Sequence, residues 1–473
     1  MNNKRKEIQS DPPPPRFRQE ERSFIIYPDE AAVGESRHFF VILHPTRARW
    51  VIVNRTGLII ARRLEQGETP TRIARHLMDH YQVSPTQVRS EIEHIRSILR
   101  TEGLLSGSDC EGIRRPALRS LFLHLTDSCN LHCLHCYTTR SSCTGSSRID
   151  TTAVRKLLHE AADLGGKSVT LSGGEPLLHP GLREIIEEFS GRLSISLLTN
   201  GTLIDEPWAT FLSKHRVSIQ LSLDGSTAEI HDFIRGPGTF AQVKRAITLL
   251  QRAGLSDRLN LSTTVMSRNV ADLSDIIRLA EKLGIPYVRF LPLRRIGMAR
   301  EEWQAIGQGL TLRQQIDFYD FALNVYQQKE DQIMLSCGLA GFILRLPEDS
   351  NEDGLWCPLG HKLVIAASGD IYPCVLMMEP MFRLGHLATH SLVEVMASAG
   401  MNQVCRDVSS RPQQIASCRE CSWRNLCQAG CMGLALEAND TIWDTDAFCA
   451  YRKKAYRRAF DRLLAKMEAE YSR

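Results

Sequence analysis

No run of residues in this chain is apolar for long enough to cross a bilayer. Met1 to Gln19 also lacks the apolar core of a secretory signal, being polar, charged and rich in proline. Both absences point to a cytoplasmic protein with no membrane role. A dominant charge is missing too. The 58 Lys and Arg face 54 Asp and Glu, a net +4, whereas a protein built chiefly to bind nucleic acid shows a strongly basic face. The 473 residues exceed what one hydrophobic core keeps filling, so two or three packed units are expected. Cysteine, by contrast, is plentiful: in a reducing compartment, 14 of them more often hold metal than form disulfides.

Residues 1–22, with a proline run at Pro12 to Pro15, read as a disordered lead. Residues 23–105 read as a compact β-then-α module. Short β-type runs at Phe24 to Tyr27, Phe39 to Leu43 and Trp50 to Asn54 precede three helices. The first helix begins near Thr56. The second follows Thr69 and Pro70 and repeats Ile73, Leu77 and Tyr81 on one face, and the third, from about Ser84, repeats Ile92, Ile95 and Leu99. Residues 106–118, with Gly107, Gly112 and Pro116, read as a linker.

Six apolar runs follow, at Leu121 to Leu125, Ser168 to Leu171, Leu193 to Leu198, Val217 to Leu223, Leu259 to Val265 and Tyr287 to Leu291. Amphipathic helices near 151–164, 181–189, 206–214, 240–253 and 271–283 separate them. This alternation predicts an α/β fold, a partial (β/α)6 barrel of TIM type over 119–300. Residues 301–350 are expected to form a helical connection, and 351–450 a cysteine-rich domain that depends on metal for its fold. Residues 451–473 are expected as a basic helix carrying Arg452, Lys453, Lys454, Arg457 and Arg458 on a solvated face.

At the end of the first barrel strand stands Cys129-Asn-Leu-His-Cys133-Leu-His-Cys136, a C-x3-C-x2-C loop. Three thiolates are one too few to close a 4Fe–4S cube, so one iron stays open to a small molecule, at the strand ends where barrel enzymes place their chemistry. A zinc site or three separate buried thiols are the alternatives. The loop strongly resembles that of the radical S-adenosylmethionine superfamily. The resemblance implies that the open iron chelates S-adenosylmethionine and that an electron from the cluster cleaves the sulfonium to a 5'-deoxyadenosyl radical. Ser172-Gly173-Gly174-Glu175-Pro176 resembles the family's GGEP motif, whose backbone binds the methionyl amino group. By the same resemblance Asn200, in Thr199-Asn200-Gly201, belongs to the cofactor site. Ser222 and Asp224 stand near the ribose, Arg235 near the methionyl carboxylate, and Val265 and Leu291 against the adenine. The bland readings are a turn at Asp224-Gly225, a surface Arg235 and ordinary core packing for Val265 and Leu291. Where many members have an aromatic before the third cysteine, this chain has His135, with Tyr137 after the cysteine; an exposed loop histidine is the alternative.

Further on come Cys357, Gly369-Asp-Ile-Tyr-Pro-Cys374, Cys418-x2-Cys421-x5-Cys427-x3-Cys431 and Cys449. This order resembles the SPASM domain of peptide-modifying superfamily members, which implies two auxiliary iron–sulfur clusters. The family's interleaved ligation assigns Cys418, Cys421, Cys427 and Cys449 to the distal one and Cys357, Cys374 and Cys431 to the proximal one. A zinc ribbon is the alternative for Cys418 to Cys431. The proximal set then lacks a fourth thiol; Cys337 or a substrate thiolate could complete it. Cys110, Cys143 and Cys405 fit no spacing.

The winged-helix-like α+β module, through Trp50 to Asn54, Thr56-Gly57, Leu64 to Thr69, Ile73-Ala74 and Leu104-Leu105, resembles the pyrroloquinoline quinone peptide-chaperone family. Such modules capture a leader peptide as an added strand. A nucleic-acid-binding or purely structural module is the alternative. Together these resemblances imply an enzyme that modifies a ribosomally made precursor peptide, by thioether or another cross-link, with flavodoxin or ferredoxin as electron donor. The rivals are a formylglycine-generating sulfatase maturase and a non-catalytic cluster-bearing peptide binder.

Overall fold

Helix starts in the first hundred residues are set by side-chain caps. The Asn54 side chain accepts from the Gly57 N–H at 2.7 Å, and Thr69 and Ser84 cap the next two helices, each with proline in the first turn. The structure, a computed structural model, describes residues 25–28, 37–44, 49–81, 83–105, 116–138, 147–307, 309–329, 334–336 and 357–471. The lead 1–22, most of the linker, and Cys110, Cys143 and Cys337 lie outside them. Two compact units result: Met1–Cys110 with Leu464–Arg473, and Glu111–Leu463.

In the first unit, β1 (Ile25–Tyr27), β2 (Phe39–Leu43) and β3 (Trp50–Asn54) form an antiparallel sheet in that order. Helices α1 (Arg55–Glu65), α2 (Pro70–His80) and α3 (Pro85–Thr101) follow. Their apolar stripes meet the sheet in one core that includes Phe40, Val53, Leu58, Ile73, Ile92 and Leu99. The chain's last residues close on the start of β2. Glu468 Oε1 accepts from the His38 and Phe39 N–H groups at 2.8 and 3.3 Å, and the Tyr471 ring packs on both side chains.

The second unit holds a ten-stranded sheet. The six foreseen strands are β4 (Ser120–His124), β5 (Ser168–Ser172), β6 (Ser194–Thr199), β7 (Val217–Ser222), β8 (Leu259–Val265) and β9 (Tyr287–Pro292), all parallel and adjacent in chain order. The foreseen helices are α4 (Thr151–Asp163), α5 (Leu182–Phe189), α6 (Glu206–Ser213), α8 (Thr239–Arg252) and α9 (Leu273–Lys282); the short α7 (Ala228–Arg235) is additional. The sheet extends beyond the six repeats on both sides. The connecting region supplies the short α10 (Met298–Glu301), the longer α11 (Leu312–Lys329) and then β10 (Met334–Ser336), parallel to β9. The cysteine-rich region supplies β11 (Lys362–Ile365), parallel to β4, and from it β12 (Asp370–Tyr372) and β13 (Gly385–His386) turn back antiparallel. That region therefore shares the sheet rather than standing apart.

The C-terminal helix, Cys449–Tyr471, corrects one expectation. Lys453, Lys454, Arg457 and Arg458 are exposed, but Arg452 is buried at 3% exposure. It lies three residues after Cys449, one turn along the same face, and so turns inward with that thiol. No described helix is long and apolar enough to cross a membrane.

The first unit's core makes a direct prediction. Ile73→Ala, at a fully buried position, lowers stability by about 2–5 kcal/mol, read as an earlier denaturation midpoint. An unchanged midpoint would remove α2 from the core.

Candidate active site and cysteine centres

The strand ends hold the first cysteine loop from two sides. Beyond β4, the Leu125 N–H donates to Ser172 O at 2.9 Å, and the turn after β5 is stitched to the loop by Gly174 N–H to Thr126 O (2.7 Å) and Glu175 N–H to Ser128 O (2.8 Å). A Cβ on Gly173, whose φ is +143°, would lie 2.4 Å from Thr126 O, and one on Gly174 would lie 2.3 Å from Ser128 O. Only glycine permits this approach. On the other side, the Leu134 N–H donates to Ile234 O, and the Ala299 N–H donates to Cys136 O.

Glu175 is buried and ties the second strand end to the third. Its carboxylate accepts from the Thr199 hydroxyl (2.7 Å), the Asn200 N–H (2.9 Å) and the Leu177 N–H (3.2 Å). Burial pushes this carboxyl up to about 7 against the pull of those donors. Asn200 turns toward the cysteine loop: its Nδ2 donates to Asn130 Oδ1 at 2.9 Å, and Asn130 donates to the Thr202 hydroxyl at 2.8 Å. Asn130, not singled out in the sequence, sits directly after Cys129, and that adjacency was its only signal.

Asp224 is fully buried after β7, and Arg235, at the end of α7, is nearly so. Arg235 Nε donates to Asp224 Oδ2 at 2.5 Å, and His135 Nε2 stands 2.8 Å from the same oxygen. The Thr264 N–H donates to Oδ1 at 2.7 Å. Burial opposes the charge on Asp224, but Arg235 and His135 outweigh it and hold the carboxyl well below the usual range. Arg235 also reaches Cys133 Sγ at 3.9 Å. The structure thus makes Arg235 a buried cation beside the thiols rather than a surface charge. His135, with 6% of its side chain exposed, is no exposed loop residue. Ser222 is the half-buried last residue of β7.

His231 accepts the Asp224 N–H on Nδ1, and burial lowers it to about 4, so it stays neutral. Its Nε2 and the His135 Nδ1 are buried without a partner among the described residues.

Val265 and Leu291 come together, lining a cavity of about 380 Å³ at the ends of β8 and β9 with Trp303, Glu437 and Tyr451. The Arg294 guanidinium and the Arg295 N–H fix Glu437 there at 2.8 and 2.6 Å.

The C-terminal thiols fall into two groups. Cys418, Cys421, Cys427 and Cys449 line one pocket with Trp423, Arg452 and Tyr456. Cys357 and Cys374 pack with Met377 and Met432 in a separate cluster, and both act electrostatically on Cys431. Arg452 and Asp446, neither singled out as a site residue, lie between the groups. So does Arg411, whose guanidinium donates to the carbonyls of Ile442, Gly430 and Asp444. Cys405 is buried on α12 (Ala399–Gln414).

These donors fit iron–sulfur clusters. Burial pushes the Cys129 and Cys418 thiols up to about 11 and the Cys133 and Cys431 thiols up to about 12. Such groups become thiolate ligands only against the positive charge of metal. Arg235 and Arg452 already lie against two of the sulfurs.

An open parallel sheet carrying a three-thiol loop at its strand ends, with seven further thiols in two sets, defines an iron–sulfur enzyme that uses S-adenosylmethionine. Residues 123–281 match the Radical SAM superfamily, 357–422 the iron–sulfur cluster-binding SPASM domain, and 40–105 coenzyme PQQ synthesis protein D. The chain thus carries a radical S-adenosylmethionine domain, followed by a SPASM domain and preceded by a PqqD-like region. The SPASM match stops before Cys427, Cys431 and Cys449, which the fold nonetheless brings into the two sets.

Among curated relatives, mycofactocin maturase MftC of Mycobacterium ulcerans is 29% identical over 332 residues, covering 67% of this chain and 85% of its own. The cysteine-type anaerobic sulfatase-maturating enzyme of Clostridium perfringens is 27% identical over 378 residues, 74% of this chain and 98% of its own. Among solved structures, Streptococcus suis SuiB bound to precursor peptide SuiA shares the fold, with a TM-score of 0.58 and 14% identity over 90% of this chain and 98% of its own.

The close approach at the glycine turn predicts that Gly174→Ala displaces the Cys129 loop. The purified variant should carry about four fewer irons than the wild type; full iron content would show that the loop tolerates the displacement.

Proposed function

We propose that this enzyme modifies a ribosomally made precursor peptide, joining a cysteine to another residue through a thioether or forming a related cross-link. The observation that carries this is the conjunction, in one chain, of a partly buried three-thiol loop on a parallel sheet with a separate PqqD-like sheet-and-helix unit. When bound, an open-iron cluster with S-adenosylmethionine supplies reductive sulfonium cleavage and hydrogen abstraction.

In this reading Cys129, Cys133 and Cys136 hold that cluster. Gly173 and Gly174 bring backbone close to the methionyl group, and Glu175 and Asn200 keep the second and third strand ends at fixed spacing. Arg235, charged and held by Asp224, offers its remaining N–H groups to the anionic end of the cofactor. Ser222 and Asp224 face the ribose, and the Val265–Leu291 cavity takes the adenine or the peptide residue beside it, excluding water. Cys418, Cys421, Cys427 and Cys449 hold one auxiliary cluster; Cys357, Cys374 and Cys431 hold the other. The leader peptide adds to an edge of the β1-β2-β3 sheet, and binding there raises the local concentration of the segment to be modified. The enzyme works in the cytoplasm and takes electrons from a flavodoxin or ferredoxin.

The sulfatase-maturase reading is favoured by the near-complete coverage of that relative, but the match leaves about a quarter of this chain unaccounted for. The SuiB fold, with its bound precursor peptide, spans far more of it.

Replacing Cys129, Cys133 and Cys136 together by Ala abolishes 5'-deoxyadenosine formation under reduction with S-adenosylmethionine while auxiliary iron remains; undiminished cleavage contradicts the assignment. Mass spectrometry of a cysteine-containing precursor peptide coexpressed with the enzyme should show the loss of one hydrogen pair, from a C–H and an S–H. An oxidised but uncrosslinked cysteine would favour formylglycine chemistry.

A further inference from the structure

Two buried arginines lie among the C-terminal thiols, and they are used differently. Each end of the Arg411 guanidinium donates to a backbone carbonyl, so its role is complete within the fold. Arg452 is not so satisfied. Its Nε donates to Cys427 Sγ at 3.3 Å, its Nη2 donates to Asp446 Oδ1 at 2.6 Å, and its Nη1 is buried with no partner among the described residues. The side chain is 4% exposed and lines the pocket of Cys418, Cys421, Cys427 and Cys449.

Asp446 is fully buried, and its other oxygen accepts the N–H of Cys431, a member of the second thiol set, at 2.7 Å. The backbone makes room for the pair. Gly430 has φ +72°, and a Cβ there would lie 2.2 Å from Arg452 Nη2 and 2.5 Å from Asp446 Oδ2. A buried ion pair contributes little net stability over apolar packing, and an unpaired buried N–H is destabilising. Stability alone therefore does not account for a buried arginine with one donor on a cysteine sulfur and another left over beside it.

We propose that Arg452, oriented by Asp446, is the charge-compensating donor to the cluster of Cys418, Cys421, Cys427 and Cys449 and raises its reduction potential. Reduction adds negative charge to a cluster, and a fixed cation with N–H groups at its sulfurs stabilises that state. Asp446 positions the guanidinium and, through the Cys431 N–H, links it to the neighbouring thiol set. This rests on the cluster assignment above.

The test is a redox titration of the anaerobically reconstituted full-length protein, followed by electron paramagnetic resonance, with iron content measured alongside. Arg452→Met removes charge and donors, Arg452→Lys keeps the charge, and Lys454→Ala removes an exposed cation from the same helix. In Arg452→Met the reduced-to-oxidised ratio of one auxiliary centre at a fixed potential falls about tenfold, about 59 mV for a one-electron couple. The centre that responds to S-adenosylmethionine does not move, Arg452→Lys shifts less, and Lys454→Ala not at all. If Arg452→Met loses the centre, Arg452→Lys decides: a retained centre at lowered potential supports the proposal. Loss from both variants, or full iron with unmoved midpoints, overturns it. A wild type without auxiliary iron would instead sink the underlying cluster assignment.

Discussion

A thiolate cannot be buried in a protein interior without a positive charge beside it. This chain buries or half-buries ten cysteines in three groups, and burial lifts several of their thiols far out of the range where they would ionise unaided. Each group needs metal to be electrostatically tolerable. The fold supplies only part of that charge, through Arg235 beside Cys133 and Arg452 beside Cys427. Both arginines are in turn held by a buried aspartate. The same solution, carboxylate to guanidinium to sulfur, recurs at two places that share no sequence motif.

Around the first group, the parallel sheet does the positioning. Strand ends β4 to β8 present their turns side by side, each bonded to a neighbouring turn or to the cysteine loop. Gly174 meets Thr126, Glu175 meets Asn200, Asn200 meets Asn130, and Asp224 meets Thr264. These strand-end residues therefore form one connected network, in which moving a single turn moves the thiol loop. The cysteine-rich region joins the same sheet through β11, so its thiols are anchored to the scaffold that carries the first loop.

Much of this was legible in the sequence because the signals are local. Apolar β-type runs alternating with helical stripes marked all six strands, and the cysteine spacings, read with the family's ligation order, marked the thiol groups. Strands β10 and β11 were not legible: each is three or four residues long and defined by a partner far away in the chain. Arg452 was misread as a solvated charge because a run of basic residues hides which one shares the face of Cys449. His135 and Asp224 meet across 89 positions, which no local pattern reveals. The family resemblance marked Asp224 and Arg235 but not the burial that makes them a pair.

The central claim is that the Cys129–Cys133–Cys136 loop holds a cluster with one iron open to S-adenosylmethionine. It is tested most directly by recording the electron paramagnetic resonance spectrum of the reduced, reconstituted protein before and after adding that nucleotide. The account predicts that one of three iron–sulfur signals changes while the other two stay fixed. A spectrum that does not change would contradict it.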